Sequence, residues 1–201
     1  TTGAQNTSVG MFSLTNNTSA NYNAAFGYAA LEANTTGGSN TALGSLSLYG
    51  NTTGSNNVAV GMEALENNTT ASNNTAVGYR AGYDITTGAK NISIGSFAGQ
   101  DVTTGGYNIA VGYSAGGANG SNLTGYENIT IGGFSGTNIT SANFNVAMGD
   151  SSLRNTTTGS NNTALGQQAL RFNTTASNNT AVGYQAAYTQ SNANAAGVTA
   201  I

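Results

Sequence analysis

The sequence predicts an all-β protein, a parallel β-solenoid or β-roll of about eleven 17-residue coils. Two observations predict this fold. The motif NxxxG recurs along the chain, and within it small residues alternate with larger ones, as in "NTAVGYRA" at 74–81 and "NTAVGYQA" at 179–186. A fixed period near twenty residues is typical of a solenoid, in which each unit buries its apolar face only by stacking on its neighbours.

Asparagine begins every motif, and we number this position place 1 of the repeat. The eleven residues are Asn6, Asn23, Asn40, Asn57, Asn74, Asn91, Asn108, Asn128, Asn145, Asn162 and Asn179. The spacing between them is 17 throughout, except for one step of 20 after Asn108. Because stacked coils bring identical residues together and buried amides need partners, we predict a structural Asn ladder along the rod.

Places 2 to 4 alternate as a β-strand does, with a β-branched residue or Ala at place 2 and a small residue at place 3. Place 4 is always large and apolar, and we predict that it forms the core row: Val9, Phe26, Leu43, Val60, Val77, Ile94, Val111, Ile131, Met148, Leu165 and Val182. Place 9, which is Leu in six repeats, predicts a second short strand. The N-T-T-G pattern at places 12 to 15 predicts a turn.

No shift in composition divides the array, so we predict one solenoid domain over residues 1–188. Residues 1–5 match the end of a repeat, and we therefore expect the domain to begin in mid-repeat and to belong to a longer protein. The pattern dissolves after Tyr188, which predicts a degenerate transition segment at 189–201.

The single irregular repeat carries three extra residues between Tyr113 and Asn128. A strand cannot absorb three residues without losing register, whereas a turn can lengthen at small entropic cost. We therefore predict a bulge within 116–122 that leaves Val111 and Ile131 stacked on each other.

Composition argues against several classes of function. Only 5% of residues are charged and the net charge is −3, so the chain has no basic stripe for nucleic acid. No apolar run reaches the roughly 20 residues of a membrane span. His and Cys are absent and the acidic residues are scattered, which predicts neither an enzyme nor a bound cofactor.

Two pairs of charged residues share a place in consecutive coils. Asp84 and Asp101 at place 11 are weak candidates for a calcium site, although exposed carboxylates without a metal are the favoured interpretation. Glu63 and Arg80 at place 7 should stack as an opposite-charge pair.

The segments "NVAVGMEALENNTTASNNTAVGY" at 57–79 and "NTALGQQALRFNTTASNNTAVGY" at 162–184 resemble the repeat regions of bacteriophage tail-fibre proteins. They are also similar to the shorter NSVAIG-type repeats in the heads of trimeric autotransporter adhesins. The resemblance covers Thr1 to about Tyr188. It implies left-handed parallel β-rolls, three of which pack around a common axis.

We therefore expect a structural or adhesive fibre segment, from a phage tail fibre or a bacterial surface adhesin, at the virion surface or outside the cell. Its partners would be copies of itself, as a homotrimer, and a host-surface glycan or receptor. One alternative is a subunit of a self-assembling extracellular filament. A second is an ice-binding solenoid, because Thr recurs in columns such as Thr52 and Thr53, although adjacent strand residues point to opposite faces.

Overall fold

The computed structural model describes residues 2–117, 119–120, 122–189 and 197–201. It confirms an all-β parallel solenoid, in which short strands form one continuous sheet along the rod. The strands within these ranges are β1 (Thr7–Val9), β2 (Ala24–Phe26), β3 (Thr41–Leu43), β4 (Val58–Val60), β5 (Thr75–Val77), β6 (Ile92–Ile94), β7 (Ile109–Val111), β8 (Ile129–Ile131), β9 (Val146–Met148), β10 (Thr163–Leu165), β11 (Thr180–Val182) and β12 (Thr199–Ala200).

The strands β1 to β11 occupy places 2 to 4 of their repeats, and each pairs with the next in the predicted register. Thr75 lies opposite Ile92 and Val77 opposite Ile94, for example. Coils separated by about 4.8 Å give a rod roughly 50 Å long.

The register also survives the irregular repeat, where Val111 lies opposite Ile131 as predicted. In a regular coil the backbone N–H of Thr86 donates to the carbonyl of Thr103, which holds the same place one coil later. The corresponding bond from Thr103 reaches the carbonyl of Leu123 at 3.0 Å, three positions beyond the regular repeat. The added length therefore lies before Leu123, in the predicted turn, of which Ala118 and Ser121 lie outside the described residues.

The solenoid continues beyond the boundary that the sequence predicts at residue 188. Strand β12 pairs with β11, and the N–H of Val198 donates to Asn179 Oδ1 at 3.0 Å, as the next Asn does in the preceding coils. The sequence pattern did not reveal this coil because Val198 replaces the expected Asn. Residues 190–196 lie outside the described ranges.

The predicted core row is wrong for the single chain, because place 4 points outward. Exposure reaches 56% at Val9 and 49% at Leu43, and the row also includes Phe26, Val60, Val77, Ile94, Val111, Ile131, Met148, Leu165 and Val182, each exposed or half-buried. Side chains at place 3 point into the interior instead, and that of Ala76 is fully buried. A 17-residue coil encloses a narrow space, so the strand turns its small side chains inward.

Leucine at place 9 fills most of the remaining interior in the repeats that have it, and Leu31, Leu48 and Leu65 are fully buried. The predicted second strand is absent from the described residues, because places 6 to 10 form turns. At place 7 the backbone φ lies between 52° and 63° in every repeat, and Leu31 at place 9 has a φ of 53°. These left-handed residues still bond to the next coil, as when Leu31 N–H donates to the Ser47 carbonyl at 3.1 Å.

Glycine at place 5 is required by the close approach of successive coils. Gly78 has a φ of +134°, and a Cβ built on it would lie 2.6 Å from the carbonyl oxygen of Gly95. Any larger residue would therefore force the coils apart at this corner.

Candidate interaction surfaces

The Asn residues of place 1 form a continuous ladder inside one corner of the rod. From Asn23 onward each is at most 5% exposed, while Asn6 in the first coil is half-buried. The backbone N–H of each donates to the Oδ1 atom of the Asn one coil earlier, as from Asn74 to Asn57 at 2.9 Å. The amide of Asn74 also donates to the Gly88 carbonyl at 3.0 Å. Both polar atoms of the side-chain amide thus form hydrogen bonds within the rod, so they are not available to bind ligands.

A second Asn ladder occupies place 12, where the sequence predicts only a turn. The Nδ2 atom of Asn51 donates to Asn34 Oδ1 at 2.8 Å, and Asn68 Nδ2 donates to Asn51 Oδ1 at 2.7 Å. The ladder stops at Asn68, whose buried Oδ1 has no hydrogen-bond partner among the described residues, because place 12 of the next coil is Ile85. The repetition of Asn at a fixed place was the signal that could have revealed this ladder.

The outer face of the sheet is formed by places 2 and 4. Its two columns of eleven residues contain Thr, Ala, Val, Ile, Leu, Phe and Met, with no charged residue in either column. Val77, Ile94 and Met148 are 37 to 42% exposed although their side chains are apolar. A strip about 50 Å long and two side chains wide has an area on the order of 400 Å², about that of the largest apolar patch on a typical monomer, which is often functional. Place 2 contributes Thr in five of the eleven repeats.

Aromatic and charged side chains share a different side of the rod, at places 6, 7 and 10. The guanidinium of Arg80 lies 4.8 Å from the centroid of the Tyr83 ring and 5.5 Å from that of Tyr79. Arg80 also forms the predicted salt bridge with Glu63. The 17-residue register therefore holds for side chains as well as for the backbone.

The carboxylates of Asp84 and Asp101 both accept hydrogen bonds from neighbouring groups of the protein. Asp84 Oδ1 accepts from Asn67 Nδ2 at 2.9 Å, and a carboxylate oxygen of Asp101 accepts from the N–H of Gly120. Burial raises the pKa of Asp84, the bond from Asn67 lowers it, and the charge of Asp101 raises it further. Asp101 is only 4% exposed, which corrects the interpretation of this pair as exposed carboxylates.

Among the residues that the structure describes, no third His, Cys, Asp or Glu joins this acidic pair. Across the part of the chain that the structure describes, no three or more His, Cys, Asp or Glu side chains are grouped so that they could hold a metal ion. The same residues include no helix long and apolar enough to cross a membrane.

Comparison of the chain with protein-family models, with curated proteins and with solved structures found no match.

Proposed function

We propose that this chain is a structural and adhesive fibre segment of the kind found in phage tail fibres or bacterial surface adhesins. In this proposal three left-handed rods pack side by side around a common axis, at the virion surface or outside the cell. Adhesion to a host glycan or receptor would be carried by the outer surface of the assembled trimer.

The observation that carries the proposal is the uncharged face of places 2 and 4, whose place 4 column is apolar in every repeat. Solvent-facing sheets of monomeric proteins usually carry polar or charged residues, because an exposed apolar strip promotes association. Here Val77, Ile94 and the other residues of place 4 keep large apolar side chains outside the coil in all eleven repeats. Contact between three such faces would bury the strip and add a second apolar core to the narrow one inside each rod.

The physical gain from such packing is considerable. If a strip on the order of 400 Å² became buried on each chain, the hydrophobic contribution would be roughly 10 kcal/mol per chain. This is comparable to the whole stability of an ordinary domain. We therefore expect assembly to raise the stability of the rod.

The mass of the purified chain in solution, measured by sedimentation equilibrium, tests the proposal. We expect a trimer at micromolar concentration. Val77→Lys and Ile94→Lys should dissociate it while circular dichroism still reports the β-fold, because both side chains point away from the interior. Gln167→Lys, at exposed place 6, is the matched control and should leave the trimer intact.

The other outcomes distinguish the alternatives. Open-ended polymers would support the filament, in which coils dock end to end. A monomer would overturn the fibre proposal, and a monomer that shapes growing ice crystals would support the ice-binding solenoid.

A further inference from the structure

A cavity of about 210 Å³ opens on the side of the rod formed by places 6, 7 and 10 of the first three coils. Its lining consists of Phe12, Tyr28, Ala29, Glu32, Leu46 and Tyr49. The cavity exists because place 7 is Ala29 in the second coil, whereas the coils on either side carry Phe12 and Leu46 there. The missing side chain leaves a space bounded by aromatic rings and one carboxylate.

The fifth coil shows what fills the equivalent space elsewhere in the same rod. There place 7 is Arg80, whose guanidinium lies over the rings of Tyr79 and Tyr83 and pairs with the carboxylate of Glu63. Tyr28 occupies the same place as Tyr79, and Ala29 the same place as Arg80. The second coil thus keeps Tyr28 in the place of Tyr79 and carries Glu32 in the place of Tyr83, but lacks the cation.

The four Lys and Arg residues of the chain all lie over aromatic rings outside this cavity. Besides Arg80, Lys90 lies 4.6 Å from the Tyr107 centroid, Arg154 lies 5.0 Å from that of Phe134, and Arg171 lies 5.3 Å from that of Phe172. None of these aromatic partners lines the cavity. The cavity is therefore an aromatic and acidic site that none of the chain's own cations fills.

We propose that this cavity binds a cationic group, a guanidinium or an alkylammonium, supplied by another molecule. The rings of Phe12 and Tyr28 stand at 77° to each other with centroids 5.8 Å apart, so they present two walls to a cation. The negative faces of such rings attract cations, and Glu32 adds a charge partner. Tyr28 is 51% exposed, so the site is open to solvent.

The volume limits the ligand to a single head group. Sites for drug-sized ligands occupy about 300 Å³ or more. This cavity is smaller. The head group could end an Arg or Lys side chain of another protein or belong to a small free cation. This inference is independent of the proposed fibre function, because the cavity lies at places 6, 7 and 10 and the apolar face at places 2 and 4.

The test follows the ring protons of Tyr28 and Tyr49 by NMR during titration of the assembled protein. The probes are tetramethylammonium chloride, N-acetyl-arginine methylamide and glucose, with ionic strength held constant. We expect saturable shifts with both cations, with Kd on the order of millimolar, because exposed cation–π and ion pairs are individually weak. Saturation by glucose alone, or no shift up to about 50 mM cation, would overturn the proposal.

Variants assign the effect to the cavity. Glu32→Gln and Tyr28→Leu should each weaken cation binding by about five-fold, whereas Tyr184→Leu, at place 6 of another coil, should leave it unchanged. Ala29→Arg should abolish binding by filling the site from within, and its backbone suits Arg, because φ is 54° at Ala29 and 53° at Arg80. Unchanged affinity in Glu32→Gln and Ala29→Arg would contradict the inference.

A further measurement distinguishes two sources of the natural cation, a second copy of the chain and a foreign ligand. Shifts of the Tyr28 ring that depend on protein concentration, and that tetramethylammonium reverses, would identify a second copy of the chain as the source. Shifts produced only by the added probes would identify a foreign ligand.

Discussion

Gly82 and Ile85 share one volume in the core of the fifth coil. A Cβ built on Gly82 would lie 3.0 Å from Ile85 Cδ1 and 3.0 Å from Leu65 Cδ2. The same exchange recurs in the eighth coil, where a Cβ on Gly136 would lie 2.9 Å from Ile139 Cδ1. Repeats with Leu at place 9 instead carry Asn or Thr at place 12. The coil therefore has two ways to fill its interior, with the large apolar group on one side or the other.

Because the large apolar side chain lies at either place 9 or place 12, we predict that substitutions at these two places are strongly coupled. Gly82→Leu alone should overpack the core and destabilise the protein by about 1 to 3 kcal/mol. Ile85→Asn alone should remove buried apolar volume and cost about 2 to 5 kcal/mol. The double variant restores the combination found at Leu65 and Asn68, so we expect a favourable coupling energy of about 1 kcal/mol or more in denaturant unfolding.

The control for this cycle combines Gly82→Leu with Ile139→Asn, three coils away. Their effects should add, because the two sites share no contact. Additive effects in the Gly82 and Ile85 pair as well would show that the two side chains do not compete for one volume.

Asn74→Ala tests the ladder at place 1. The substitution leaves the N–H of Asn91 without its acceptor at 2.8 Å and the Gly88 carbonyl without its donor at 3.0 Å. Asn74 is 1% exposed, so water cannot readily replace these bonds. We therefore expect a loss of about 1 to 3 kcal/mol in unfolding free energy.

Gln167→Ala is the comparison for the ladder variant, since Gln167 is exposed at place 6. Its effect should stay within about 0.5 kcal/mol. Equal stability of the two variants would mean that the buried amide contributes no more than a surface one.

The period, the strand positions and the Asn column could be predicted from the sequence because each is fixed by repetition. Which face of the strand lies inside could not, because alternation distinguishes two faces without ordering them. Val77 is the larger residue and points outward, while Ala76 points inward, because the narrow interior of the coil favours the small side chain. The backbone φ is left-handed at Phe12 and Arg80. Local preference disfavours such backbone by about 1 to 2 kcal/mol per residue, so the sequence alone does not predict it.

The sequence did not predict the cavity at Ala29 either, for a related reason. It depends on a column that crosses three coils, with Phe12 and Leu46 flanking the small residue. Reading place 7 down the repeats would have shown the gap, but not that Glu32 and Tyr49 close it from the side.

Asp84 predicts a measurable dependence of stability on pH. Its raised pKa means that the folded state holds the proton more tightly than the unfolded state. Its contribution is therefore fully present below the ordinary Asp pKa of about 4 and is lost as pH rises through the folded value. Asp84→Asn should raise the Tm at pH 7, and this advantage should shrink as pH falls towards 4.

Asparagine is compatible with this place, because Asn138 and Asn155 stack there with an Nδ2 to Oδ1 distance of 3.2 Å. Asp150→Asn, at an exposed position, serves as the control and should leave the Tm unchanged. A constant Tm difference between pH 4 and pH 7 for Asp84→Asn would show that ionisation of Asp84 does not act on stability.

Deletion of Ala118, Asn119 and Gly120 tests whether the irregular turn is dispensable. The chain without them has the regular 17-residue spacing, so the bond from Thr103 to Leu123 should persist and the protein should fold. Sequence analysis alone predicts an almost unchanged Tm. The structure adds two contacts that the deletion removes, from Gly120 N–H to Asp101 and from Asn119 Nδ2 to Asn138 Oδ1 at 2.9 Å. We therefore expect a loss of about 1 to 3 kcal/mol in denaturant unfolding.

Two further variants separate the contacts of this turn from its length. The effects of Asp101→Asn and of the deletion should not add, because both act on the contact between Gly120 N–H and the Asp101 carboxylate. Deletion of Ile109, Ala110 and Val111 also removes three residues, but it eliminates strand β7. That chain should not fold, since the inward and outward rows lose their register. If the turn deletion fails to fold as completely as the strand deletion, the extra residues are a structural part of the seventh coil, and its neighbours cannot stack without them.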